Sequence, residues 1–301
     1  MVYTITLNPA LDYVMYVDKL RFDDINRATK EAIFYGGKGI NVSVILTRLG
    51  IDNAAMGFVG GFTGRKLEDM LKADNIVCDF DYLETGNTRI NVKVKAGDEL
   101  DINANGPDIS STDIDHLLKK IDRIREGDYL VLAGSIPKNL PEDIYERILQ
   151  KLEGRGVHCI VDATGDLLLN VLKYRPFLIK PNHHELGDLF GVETDTTEKI
   201  VTYARKLQEM GARNVLISWA EKGAVLVDEE GQVHTIGNAP GTLVNSVGCG
   251  DSMVAGFVAG YLEKHDYGYA LRLGTACGNA TAFSPELATK EEIEAALAMN
   301  V

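Results

Sequence analysis

A chain of 301 residues with 45% apolar residues is long enough to bury a large core in one α/β unit. Its 44 acidic against 31 basic residues, a formal charge of −13, argue against a nucleic-acid or anionic-membrane partner, while a local group of donors still suits an anionic substrate. The four cysteines, Cys78, Cys159, Cys249 and Cys277, have no close metal-ligand spacing and fit reduced thiols of a cytoplasmic protein better than a disulfide framework.

The first ten residues, MVYTITLNPA, read as a strand and not as a signal peptide, because they lack a basic leader and a long apolar stretch. The β-branched run 3–7 is that strand, stopped by Asn8-Pro9. Residues 13–20 form a second strand and 33–35 a short apolar piece, broken by Gly36-Gly37-Lys38-Gly39. From Ile40 the residues Val42, Val44, Ile45 and Leu49 recur at helical spacing as far as Gly50. A buried-type strand follows over 54–59, then a helix over 64–73. In 89–102, Ile90, Val92 and Val94 alternate with Asn91, Lys93 and Lys95, and the alternation resumes after a Gly97-Asp98 turn, which describes a half-exposed hairpin. Beyond it the order is regular: strands over 129–132, 159–161, 177–179 and 215–217 alternate with helices over 141–152, 165–172, 184–190 and 200–210. Such alternation predicts a mostly parallel sheet between helices, with a small antiparallel β lid. The expected organisation is one domain over 1–301, its lid built from two separated segments, about 12–35 and 88–105.

Two stretches carry the chemistry. In Asn245-Ser246-Val247-Gly248-Cys249-Gly250-Asp251, a Gly-x-Gly turn feeds a helix whose apolar residues include Met253, Val254 and Phe257. A helix N-terminus has unpaired N–H groups and partial positive charge, so it holds an anion readily, and glycines let a phosphate come close. Asp251 at the mouth of that hole has two readings. It is the N-cap of a core helix, or it is a carboxylate that takes the proton of an attacking hydroxyl. Gly36-Gly37-Lys38-Gly39-Ile40-Asn41 is likewise either a loop with a surface Lys, or a floor on which a sugar lies with Asn41 as donor and acceptor. Asp12, after the first strand, is either a turn residue or an acceptor for sugar hydroxyls.

These two stretches, more than 200 residues apart, resemble the two signatures of the ribokinase-like phosphofructokinase B family of carbohydrate kinases. Val59-Gly60-Gly61, Gly134-Ser135-Ile136-Pro137 and Lys180-Pro181-Asn182-His183-His184-Glu185 fit the same family, so the resemblance covers essentially the whole chain. It implies ATP as donor, with Asp251 as base and Gly248, Cys249 and Gly250 around the transferring phosphoryl group. It further implies sugar contacts at Asp12, Gly37 and Asn41, a substrate contact at Ser135, and a phosphate contact at Arg89, with Lys38 and Arg27 as further candidates for the phosphate. Arg27 is expected to reach the site of a neighbouring subunit. For the nucleotide it implies Lys180, Ser218, Gly223, Ser246 and Asn279, and for Mg²⁺ the oxygen donors of Asn182 and Glu185.

The run Thr88-Arg89-Ile90-Asn91-Val92-Lys93 resembles 1-phosphofructokinases more than tagatose-6-phosphate kinases. The implied reaction is therefore phosphorylation of fructose 1-phosphate at C6. Tagatose 6-phosphate, fructose 6-phosphate and a non-catalytic sugar-phosphate sensor are the alternatives. His183 and His184, being adjacent, are expected on different faces as surface residues and not as a zinc pair. Ser43, Val44 and Cys249 depart from the family pattern, and Cys249 at a helix N-terminus invites a lowered pKa and easy oxidation. Trp219 reads equally as packing under its loop or as a base contact. Apolar lid residues Val14, Tyr16, Val17, Ile90, Val92 and Val94 point to a homodimer clasped through the lids.

Overall fold

The computed structural model describes residues 1–299. Strand β1 (Val2–Thr6) leads into β2 (Ala10–Tyr16) and β3 (Lys30–Gly36), then helix α1 (Lys38–Arg48), β4 (Asn53–Gly60), α2 (Gly61–Ala73) and β5 (Cys78–Leu83). Strands β6 (Arg89–Ala96) and β7 (Asp98–Ile102) follow, with α3 (Ser111–Ile121), β8 (Tyr129–Ala133), α4 (Ile144–Leu152), β9 (His158–Asp162), α5 (Gly165–Val171) and β10 (Leu178–Ile179). The chain continues through α6 (His183–Phe190), α7 (Thr197–Glu209), β11 (Asn214–Ser218), β12 (Ala224–Val227) and β13 (Val233–Ile236) to α8 (Cys249–Lys264), α9 (Tyr267–Phe283) and α10 (Lys290–Met299).

Nine strands form the main sheet in the order β13-β12-β11-β10-β9-β8-β1-β4-β5. All neighbours from β11 to β5 run parallel; only β12 and β13 are antiparallel additions at the edge. Parallel strands need crossover helices, and these cover both faces. Alternate side chains of one strand enter different cores: Leu130 and Leu132 of β8 pack with Leu117, Ile144 and Ile148 on one face. Tyr129 and Val131 pack with Ile45, Val254 and Phe257 on the other. Each such fully buried aliphatic side chain contributes about 1.5–3 kcal/mol. The chain runs from β1 to β4 on one side and returns to β8 on the other, so a topological switch lies between β1 and β8. In open α/β sheets a ligand crevice opens there, beyond the carboxyl ends of the strands.

The smaller sheet has the order β3-β2-β6-β7. Strands β2 and β3 are antiparallel, as are β6 and β7, matching the expected hairpin. The two halves join through β2 and β6, which run parallel. Both segments leave the main sheet from its carboxyl edge, after β1 and after β5, which sets them in the same direction. Register also divides the lid's apolar residues between two faces. Asp12 faces Asn91 across β6, and Val14 lies on the same face, opposite Lys93. Ile90, Val92 and Val94 lie on the other face with Leu100 and Ile102. Among the described residues no helix is long and apolar enough to cross a membrane.

Candidate active site

Asp251, Asn41, Lys38, Lys180 and Gly250 meet at the carboxyl edge of the main sheet. Helix α8 begins there at Cys249, after Gly248 in the left-handed region at φ 81°. A Cβ on Gly248 would sit 2.6 Å from Leu287 Cδ2, so only glycine makes this turn without moving its neighbour. The first helical bond runs from Ser252 N–H to the Gly248 carbonyl, leaving the N–H groups of Cys249, Gly250 and Asp251 without an intrahelical partner.

Asp251 projects from this first turn and is only 5% exposed. Its side chain caps nothing; instead Asn41 Nδ2 of α1 donates to Asp251 Oδ2 at 2.8 Å. Of the two sequence readings, the N-cap is therefore set aside: Gly248 holds that position. Burial and the charge of Asp162 push the Asp251 carboxyl up to about 6, against the opposing pull of Lys38, Asn41 and Lys180. A carboxylate with an affinity for protons near neutrality is what a general base needs.

Two cations stand beside it. Lys180, which follows β10 directly, is buried, and its Nζ lies 3.0 Å from where a Cβ on Gly250 would be. That ammonium therefore rests against the glycine turn. Lys38, at the start of α1, reaches Asp162 Oδ2 at 3.2 Å. Burial lowers the Lys38 ammonium, but Asp162 and Asp251 outweigh it and hold the group above its usual value. Asp162 is a residue that the sequence reading missed. It ends β9, and its visible signal is an acid directly after the apolar run Ile160-Val161.

On the lid side, Asp12 accepts from Asn91 Nδ2 at 2.8 Å and pairs with Lys93 at 3.3 Å. Asn91 and Lys93, neither of them expected in this role, thus hold Asp12 in place. Arg89 donates to the Asn8 and Ala104 carbonyls at 3.1 and 3.3 Å, and burial lowers its guanidinium. Gly37 is the N-cap of α1. Ser135, just past β8, is exposed, as is Arg27, which lies in the loop between β2 and β3.

At the start of α6, Asn182 is the N-cap and forms a capping box with Glu185. Asn182 Oδ1 accepts from Glu185 N–H at 2.9 Å, and Glu185 Oε2 accepts from Asn182 N–H at 2.7 Å. The spacing expected to bind metal is thus first a helix start. Asn182 also bridges to Ser218 at the end of β11. Gly223 closes the following loop, its carbonyl accepting from Trp219 N–H at 2.8 Å. Trp219 is buried in the core, with Lys222 Nζ 4.3 Å above its ring, which settles it as packing. Ser246 is exposed, and Asn279 is buried on α9 with its Nδ2 unpartnered.

Two expectations need correction. The rings of His183 and His184 do not diverge: their centroids lie 3.8 Å apart with the planes tilted by 39°, and while His184 is exposed as expected, His183 is half-buried beside Trp219. Among the described residues no group of three or more His, Cys, Asp or Glu is placed to hold a metal ion. The Cys249 thiol is not lowered either. Burial, reinforced by the charge of Asp251, pushes it up to about 11, overriding the helix terminus. Of the departures, Ser43 pairs with Thr4 at 2.7 Å and Val44 fills the core between α1 and α2.

A mostly parallel sheet with a helix N-terminus and a buried carboxylate at its carboxyl edge suits the transfer of a phosphoryl group. The chain belongs to the pfkB family of carbohydrate kinases, whose family pattern matches residues 2–294. It is 45% identical over 294 residues to 1-phosphofructokinase of Bacillus subtilis strain 168, covering 98% of this chain and 96% of that one. It is 37% identical over 295 residues to D-tagatose-1-phosphate kinase of Bacillus licheniformis, covering 98% and 96%. Among solved structures it superposes with a TM-score of 0.92 on phosphofructokinase-2 from Escherichia coli in complex with substrates and products, at 27% identity, covering 99% of this chain and 98% of that one.

Proposed function

We propose that the protein transfers the terminal phosphoryl group of ATP to the C6 hydroxyl of fructose 1-phosphate, giving fructose 1,6-bisphosphate. The observation that carries this reading is the buried Asp251 carboxylate, held by Asn41 at the open N-terminus of α8. Asp251 takes the proton of the attacking hydroxyl. The N–H groups of the turn Gly248-Cys249-Gly250 and the adjacent Lys180 ammonium receive the charge that develops on the phosphoryl oxygens. Lys38 faces the same space from the sugar side. Asp12, held by Asn91 and Lys93, accepts from sugar hydroxyls above Gly37, with Ser135 at the rim. Arg89 and, from a second subunit, Arg27 take the phosphate already on the sugar.

The nucleotide lies along Ser218, Gly223 and Ser246, and the unpartnered Nδ2 of Asn279 offers it a donor. The capping box leaves the second carboxylate oxygen of Glu185 for a cation, and its charge already bears on Lys38. One carboxylate together with phosphates and water fits Mg²⁺, which would neutralise the donor oxygens there. The lid sheet forms the dimer contact, and the four free cysteines remain reduced in the cytoplasm.

Tagatose 1-phosphate is a second reading, favoured by the relative that is 37% identical. It carries its phosphate at the same end and differs at C4, so the same cations would serve it. A coupled assay of ADP formation with fructose 1-phosphate, tagatose 1-phosphate, fructose 6-phosphate and tagatose 6-phosphate tests the proposal. The largest kcat/KM is expected for fructose 1-phosphate. A preference for either 6-phosphate overturns the assignment of the sugar's direction.

A further inference from the structure

Asp162 ends β9, between β8 and β10 in the middle of the sheet, and its side chain is 3% exposed. Its two oxygens face two different cations: Oδ2 lies 3.2 Å from Lys38 Nζ and Oδ1 lies 3.6 Å from Lys180 Nζ. The lysines come from different elements, one from the start of α1 and the other from the segment after β10. A buried carboxylate is costly unless paired, which explains why it has partners. It does not explain why the partners are two lysines that also border Asp251.

The geometry supplies a reason. Lys180 Nζ rests against Gly250, beside the open N–H groups of α8. Lys38 stands on the lid side of the same turn. Both cations act on Asp251. Were Asp162 uncharged, Asp251 would be the leading anion left acting on Lys38, and it also feels Lys180; cations drawn onto a base make it a weaker base. Resting on the kinase reading above, we infer that Asp162 is a positioning residue: it holds Lys38 and Lys180 on either side of the glycine turn, aimed at the transferring phosphoryl group and away from the Asp251 base. A rigid central strand suits that task, because misplacing a group by about 1 Å is enough to cost about 10²-fold in rate.

The groups that face Asp251 fix the sign of the test. They are Asp162 from β9, Lys38 and Asn41 from α1, Lys180 from the segment after β10, and Cys249 on α8; Glu185 of α6 acts through Lys38. Removing the Asp162 charge lowers Asp251 twice over, by lost repulsion and by the approach of the freed lysines. Asp162→Asn keeps the size of the side chain. It should lower kcat by about 10²-fold and shift the acid limb of the kcat profile to lower pH. A kcat within about threefold of wild type, or an acid limb that stays or moves up, overturns the inference. Lys180→Met leaves Asp162 in place and should move the limb the other way, to higher pH, which keeps the idea testable if Asp162→Asn does not fold. In a background that already carries Lys38→Met and Lys180→Met, adding Asp162→Asn should cost little more, whereas losses that multiply would show that Asp162 does not act through the two lysines. The titration of Asp251 is also readable by carboxyl NMR on the protein without substrate. If no sugar phosphate is turned over by wild type, the kinase reading fails, while the direction of that titration shift still decides the role of Asp162.

Discussion

Asn41 Nδ2 donates to Asp251 Oδ2 at 2.8 Å, joining residues 210 positions apart and tying the start of α1 to the start of α8. The bond favours the charged carboxylate and so opposes burial, which favours the neutral one. Asn41→Leu removes the donor without adding a charge. Asp251 should then titrate at higher pH and the acid limb of kcat should move up, with kcat at its plateau reduced about tenfold or more, the scale of a hydrogen bond to a charged group. An unmoved limb would separate Asn41 from the base.

Asp251 is expected to be a burden on the fold. Its folded-state affinity for a proton is raised, so the folded protein binds that proton more tightly than the unfolded chain does. Stability from this group is present in full below about pH 4 and is lost as pH rises through about 6. Asp251→Asn abolishes the cost while removing the proposed base. The variant should lose at least ~10²-fold in kcat. At pH 8 it should nevertheless melt a few degrees above wild type, with a gain of up to about 3 kcal/mol as upper bound. Thermal unfolding of both proteins at pH 5 and pH 8 checks it: the gap should widen with pH, and a lower Tm for the variant at pH 8 would contradict the assignment.

The reading of the sequence reached the fold where its signals are local. Apolar runs such as 129–132 and 215–217 are buried on both faces and stand out without context. Edge elements did not: β5, where polar Asp79 and Asp81 flank Phe80, and β13, with exposed Val233, lie where one side meets solvent. In the site, glycine turns announced themselves because their spacing is a chemical constraint. Asp162, Asn91 and Lys93 did not, since each acts through a partner distant in sequence, such as Lys38, which lies 124 positions from Asp162. Conversely, Asn182 and Glu185 showed their spacing clearly, but the spacing alone could not separate a capping box from a metal site.

Gly250 tests the close approach of Lys180. A Cβ there meets Lys180 Nζ at 3.0 Å and Cε at 3.4 Å. An exposed lysine would simply swing aside, but this one is buried and faces Asp162. Gly250→Ala should therefore cost about tenfold or more in kcat through a displaced ammonium, while Tm changes by only a few degrees. A variant with normal kcat would mean that the ammonium has room to spare.

Cys249 should be chemically quiet in spite of its place at a helix N-terminus. Its thiol is pushed up to about 11 by burial, so little thiolate exists at neutral pH. Iodoacetamide at pH 7.5 should modify it far more slowly than a small free thiol, and Cys249→Ala should retain most of the activity. Rapid labelling at Cys249, located by mass spectrometry, would refute this.

The lid is expected to decide the state of assembly. One face of its sheet carries Ile33, Ile90, Leu100 and Ile102, exposed by 44%, 39%, 38% and 57%. Register sets Ile33 beside Tyr13, Tyr13 beside Val92, Val92 beside Ile102 and Val94 beside Leu100, so Ile33, Leu100 and Ile102 share one face with Ile90. Phe22 and Ile25, 90% and 76% exposed, are further apolar residues on the loop that holds Arg27. A patch of this kind is unusual on a monomer, and a two-fold pairing of lids is the simplest closed way to cover it. Light scattering at micromolar concentration should report roughly twice the chain mass of 32.9 kDa. Ile90→Lys with Ile102→Asp should shift the species towards the monomer mass. With the partner's Arg27 withdrawn, KM for the sugar phosphate should rise by about tenfold, the scale of one lost charge-assisted contact. Arg27→Ala, which leaves the apolar surface intact, should raise the same KM without changing the mass. A fully active monomer would end both the lid interface and the role given to Arg27.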